Sequence, residues 1–136
     1  MGILATTVIT GLLIVNSVTD IRKREILLLP TLLVLAGGVI RNRAAFTTLL
    51  PGIVLLLLSA AAPGKIGFGD GLAVCAAGVW CGTERILIIL FFGLLAVPAA
   101  AGILHIRKQR VRELPFIPFL LLGFLVERIL FCSTVR

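Results

Sequence analysis

The chain has 136 residues, 60% of them hydrophobic and 14% charged, and its mean hydropathy is +1.19. A soluble domain carries about a quarter charged residues, so this composition excludes an ordinary soluble fold and makes the bilayer the solvent. The net charge of +7 comes from 13 Lys and Arg against 6 Asp and Glu. These basic residues sit in short clusters between apolar runs, as orientation in a membrane requires, and no basic face remains for nucleic acid.

A membrane helix needs roughly 20 apolar residues, with about 17 tolerated. Six segments are predicted on that basis, at 3–19, 26–40, 44–62, 66–83, 85–106 and 114–132. No basic residue precedes the first segment, and no small-residue cleavage site leads from it into a soluble body, so it is expected to be a retained helix rather than a signal peptide. Within it, Thr6, Thr10, Leu13, Ser17 and Asp20 follow the three-and-four spacing of one helix face. That mostly polar face is expected to look into a bundle, with Asn16 one turn above Asp20 and able to hydrogen-bond its carboxyl. The second segment is short and contains Pro30, and the third contains Pro51; neighbouring helices in a bundle tolerate such prolines.

The fourth segment opens on Gly67-Phe68-Gly69-Asp70. The glycines permit close backbone approach and unusual dihedrals, and a helix start favours the acid that follows. Asp70, Ala73 and Ala77 share a face, and Gly78 and Gly82 form a small-residue pair. Trp80 is an aromatic anchor near the outer interface. The fifth segment holds Pro98 and ends near His105, an interfacial histidine with no evident partner. The sixth begins after Glu113 and carries Glu127 and Arg128 toward its outer end, where they pair or snorkel. Cys75, Cys81 and Cys132 have no metal-ligand spacing and read as small buried residues; no metal or cofactor is expected. The connections are very short, so successive helices are expected to be antiparallel neighbours. The fold class is an all-α membrane protein, a single domain over 1–136 made of a compact bundle of about six transmembrane helices.

Lys and Arg counted by side set the orientation. Arg22, Lys23, Arg24, Lys65, Arg107, Lys108, Arg110 and Arg112 fall on one side, and Arg41, Arg43, Arg85, Arg128 and Arg136 on the other. The richer side is cytoplasmic, which puts the N-terminus outside and both aspartates near the inner leaflet. An ionisable residue within a membrane segment is costly and marks a functional site by default. Two carboxylates at matching depth form the pair an aspartic peptidase uses. One acts as base on a water, the other as acid on the peptide carbonyl, and a proton is shared because both cannot ionise easily.

Asp20 followed by a basic loop, then Gly67-Phe68-Gly69-Asp70 opening a later helix, resembles the prepilin peptidase family. So does Pro115-Phe116-Ile117-Pro118-Phe119-Leu120-Leu121-Leu122-Gly123, which is similar to that family's Pro-Phe-x-Pro-Phe-Leu-x-x-Gly stretch. The resemblance implies an aspartic endopeptidase that cuts the short basic leader of type IV prepilins or pseudopilins at the cytoplasmic face of the inner membrane. It makes Asp20 and Asp70 the catalytic pair, Gly67, Gly69 and Asn16 their support, and Glu113, Pro115 and Phe116 candidate substrate contacts. The implied partners are a pilin with a single hydrophobic helix and the lipid bilayer. The chain departs from the family in having Gly71-Leu72 where Lys-Leu often falls after the second aspartate, and Leu27-Leu28 where Pro-Asn often follows the first. It also lacks the cysteine-containing cytoplasmic insertion, so N-methylation is not expected; in this it resembles the compact members of Flp-type tight-adherence systems. The competing expectation is a non-catalytic multi-pass protein, a transporter subunit or assembly factor, whose aspartates lie in a polar helix seam.

Overall fold

The computed structural model describes residues 2–23, 25–42, 46–61, 67–107 and 115–134, with side chains as far as Phe131. These residues form six helices and no strand: α1 (Ile3–Lys23), α2 (Leu28–Arg41), α3 (Phe46–Ala61), α4 (Phe68–Cys81), α5 (Thr83–Ile106) and α6 (Ile117–Thr134). Their order and approximate bounds follow the six apolar runs. Each run is long enough to propagate a helix, and each break carries charge, Gly or Pro. Arg22 and Lys23 close α1, where cations complement the helix dipole.

Two helices, α1 and α5, are long and apolar enough to cross a membrane, while α2, α3 and α4 are shorter apolar helices. The 14 residues of α2 or of α4 reach about 21 Å at 1.5 Å per residue, against a hydrocarbon core of ~30 Å. The outward faces are nonetheless apolar, with Leu57, Phe91 and Leu95 among many large exposed side chains. A patch of that kind across a whole exterior suits lipid rather than water.

Helix order does not follow chain order. The expectation that successive helices are neighbours fails for α2 and α3, which both pack on α4. The main partner of α1 is α6, and α1 touches α2 only lightly. The cause is the composition of α4, where Ala73, Ala76, Ala77 and Gly78 are buried with Val74 and Cys75. Small side chains let four other helices approach it. A Cβ on Gly52 of α3 would collide with Cys75, and one on Gly78 with the Thr48 carbonyl. On the other side, a Cβ on Gly123 of α6 would lie 2.9 Å from the Gly93 nitrogen of α5. Without a hydrophobic drive between helices in lipid, such close packing is what holds them together.

Gly82 does not belong to this packing. It stands at the C-cap of α4 with φ 89°, the one positive-φ glycine among the described residues, and a Cβ there would meet nothing. It ends the helix through its amide, which donates to the Gly78 carbonyl at 2.8 Å. Trp80 is likewise more than an interfacial anchor. Its indole N–H donates to the Val34 carbonyl at 2.8 Å, and the Arg41 guanidinium lies 5.7 Å from its ring centroid, so it locks α4 to α2.

Candidate active site

Three helix ends meet at one end of the bundle. The last turns of α1 carry Asp20, the first turn of α4 carries Asp70, and α6 begins at Ile117. Asp20 is buried, on the inward face that also holds Leu12, Leu13, Asn16 and Ser17. Its Oδ2 accepts the backbone N–H of Ile117 at 3.2 Å, a contact between residues 97 apart in sequence. Asp70 is half-buried and near enough for the Asp20 charge to act on it. The two aspartates therefore share one site, on helices that run in opposite directions.

Local sequence explains how Asp70 is held. Gly67 is the N-cap of α4 and Asp70 the third helical residue, the position from which an acid reaches back to the N-cap amide. The Gly67 N–H bonds to the Asp70 carboxyl, and the Asp70 N–H donates to the Gly67 carbonyl at 3.1 Å. A Cβ at Gly67 would lie 2.9 Å from Asp70 Oδ2, and one at Gly69 would lie 2.9 Å from Ile26 Cβ. The expectation of unusual dihedrals is not met at Gly67, whose φ is −69°. These glycines serve close approach, one under the carboxyl and the other under the α1–α2 connection that follows Asp20.

Asn16 does not hydrogen-bond the Asp20 carboxyl. Its Nδ2 donates instead to Thr31 Oγ1 at 2.9 Å, and the Thr31 hydroxyl donates to the Leu27 carbonyl at 2.8 Å. Both side chains are fully buried. Asn16 thus ties α1 to α2 one turn from the site, and its Oδ1 has no hydrogen-bond partner. The polar face of α1 is also shorter than expected. Toward the other end the buried positions are Ala5 and Ile9, while Thr6 and Thr10 are half-buried and bond back to the Gly2 and Thr6 carbonyls. On α1 the buried polar side chains are Asn16, Ser17 and Asp20, all in its last two turns.

Of the candidate substrate contacts, Glu113 lies outside the described residues. Pro115 and Phe116 are half-buried at the start of α6, and Phe116 packs against the hydrophobic core. His105 is exposed in the last turn of α5. Residue chemistry alone gave no sign of the Ile117 amide, because that donor is main chain. The prolines on either side of it were the available signal.

Far from this site, Glu127 is fully buried on α6 and faces Arg85 of α5, with Nη1 3.6 Å from Oε1; the Arg85 guanidinium also lies 5.7 Å from the Phe131 ring centroid. Glu127 therefore pairs across helices with Arg85 of α5, a partner that its sequence neighbour Arg128 did not suggest.

The described residues form an all-helical bundle with an apolar exterior and bring Asp20 and Asp70 to one end of it. The chain belongs to the type IV leader peptidase family, whose sequence model matches residues 7–103. No curated protein and no solved structure matches it. The matched span contains Asp20, Asn16, Gly67, Gly69 and Asp70, whereas the Pro-Phe stretch at the start of α6 lies beyond it. Family membership makes the chain a peptidase of the leader-peptidase kind.

Proposed function

We propose that the chain is an aspartic endopeptidase of the inner membrane that removes the short basic leader of a type IV prepilin or pseudopilin, with Asp20 and Asp70 as its catalytic pair. The observation that carries this reading is that these two carboxyls, 50 residues apart in sequence, lie at one end of the bundle, near enough for the Asp20 charge to act on Asp70, in a chain with only six acidic residues. In the proposed reaction one carboxylate takes a proton from water as it attacks the scissile carbonyl. The other carboxyl donates a hydrogen bond to the carbonyl oxygen, and a proton then passes to the leaving amine. The pair titrates as a unit, since two adjacent carboxyls share a proton.

The six helices all cross or enter the membrane in this reading, with the short α4 enclosed by its neighbours and the short α2 turning an apolar face outward. The N-terminus lies outside and the aspartates near the cytoplasmic leaflet, where a basic leader is presented. The eight-to-five division of Lys and Arg supports this orientation. The reading is tested by co-expressing the chain with a prepilin bearing a basic leader and a single hydrophobic helix. Asp20→Asn and Asp70→Asn should each insert as the unaltered chain does and leave the prepilin uncut. Full cleavage by either variant would remove that aspartate from the mechanism.

A further inference from the structure

The Pro-Phe stretch at the start of α6 has no role in the mechanism so far, yet its first helical residue touches a catalytic candidate. The first turn of any helix presents amides with no acceptor inside the helix. In α6 these are few. Pro118, the second helical residue, has no N–H, and the amides of Phe119 and Leu120 both donate to the Phe116 carbonyl, at 3.0 and 3.1 Å. The Ile117 amide is left to point out of the helix, and it donates to Asp20 Oδ2.

The position of that amide is tightly determined. Ile117, Leu120, Phe124 and Glu127 are each no more than 1% exposed and share one face of α6. Gly123 sits against the Ile89 carbonyl of α5, and Glu127 faces Arg85 of the same helix. With its far half fixed against α5, α6 delivers its first amide to a set point beside α1.

We infer that the start of α6 is a positioning element of the active site: the Ile117 main-chain N–H orients the Asp20 carboxyl toward Asp70, and Pro118 beside it, which has no N–H, adds no competing donor. The inference rests on the peptidase reading for its consequence in catalysis, but the bond itself is testable without a substrate. The side chain of Ile117 fills the core, and its amide does a separate job.

Ile117→Pro separates the two. Proline is favoured at the first helical position, so this change removes the amide hydrogen where the helix tolerates it. Ile117→Ala is the control, removing most of the side chain and keeping the N–H. Each full-length variant is assayed in membranes against the co-expressed prepilin, as rate per folded molecule. A hydrogen bond to the catalytic carboxyl is lost in Ile117→Pro alone, so kcat should be lower than in Ile117→Ala by on the order of tenfold or more, with KM alike in the two. Equal kcat values would overturn the proposal. If Asp20→Asn and Asp70→Asn both cleave fully in the same assay, the peptidase reading is what fails.

Amide hydrogen exchange gives the second arm, independent of cleavage. Asp20→Ala should speed exchange at Ile117 by tenfold or more and leave Leu120 unchanged, while Asp70→Ala should alter neither. Unchanged exchange at Ile117 in Asp20→Ala would overturn the proposal whatever the cleavage assay shows.

Discussion

Gly69→Val tests whether the glycines before Asp70 act through close approach. A Cβ at Gly69 would lie 2.6 Å from Ile26 Cδ1, 2.9 Å from Ile26 Cβ and 3.2 Å from Ile26 Cγ1. The Cδ1 contact is relieved by turning the side chain, but the Cβ contact is not, because Ile26 Cβ is tied to the main chain. Carbon atoms rest at about 3.5–4.0 Å, so residue 26 and the start of α4 must separate by roughly 0.6–1 Å. Ile26 follows Asp20 by six residues, and Gly69 immediately precedes Asp70, so the displacement falls between the two carboxyls. A misplacement of about 1 Å costs on the order of a hundredfold in turnover, whereas overpacking costs roughly 1–3 kcal/mol in stability. Gly37→Val is the control. A Cβ there would lie 3.7 Å from the Trp80 ring, an ordinary contact, and α2 meets α4 at that point far from the aspartates. Prepilin cleavage per folded molecule should fall about a hundredfold in Gly69→Val and less than about threefold in Gly37→Val. Equal losses per folded molecule would show that Gly69 is a generic packing residue, and the geometric argument would be refuted.

Three other outcomes are expected. Arg85→Gln should lower thermal stability in detergent more than Glu127→Gln, because it strands a fully buried carboxylate while the reverse change leaves a cation 30% exposed to solvent. Breaking a buried pair in the first manner costs about 3–5 kcal/mol, and equal losses would mean the pair is not buried in the folded protein. Asn16→Ala should cost on the order of 1 kcal/mol through the lost Thr31 bond and keep cleavage per folded molecule within about threefold; abolished cleavage would return Asn16 to the support of the aspartates. A single thiol placed at Lys108 should resist an impermeant reagent in intact cells, and strong labelling would invert the topology drawn from the charge count.

The six helices were legible because apolar runs and basic breaks alternate strongly along the chain. Asp20 and Asp70 were legible because acids are scarce and each falls at a segment end. The packing order was not, since connection length says which helices are joined but not which are most closely approached. That information lies in side-chain size. Ala73, Ala77 and Gly78 mark α4 as the helix others can approach, and the small-residue reading of Gly78 pointed there, although Gly82 proved to be a cap. Asn16 misled for a related reason. One helical turn from Asp20 is close enough for a bond, but Thr31 arrives from α2 at the same level, and no local spacing reveals it. The apolar half of the α1 face was hidden by the threonines, whose hydroxyls satisfy themselves on carbonyls four residues back and so fit a weakly polar environment.

Placing the carboxyls at helix ends rather than helix middles has a physical reason. A helix interior has already used its amides, so a buried carboxyl there needs a side-chain donor, and a cationic one would neutralise the acid it holds. A helix start offers free amides and the positive end of the dipole without a full charge. Asp70 uses the Gly67 amide at the start of its own helix, and Asp20, at the wrong end of α1 for such help, receives the Ile117 amide from the start of α6. Each acid thus accepts a neutral main-chain donor, from different helices, an arrangement that suits the shared proton of the proposed mechanism. The Ile117 bond thus gives the contact of α6 with α1 a polar component at the aspartate end, beside the apolar packing of α6 on its hairpin partner α5.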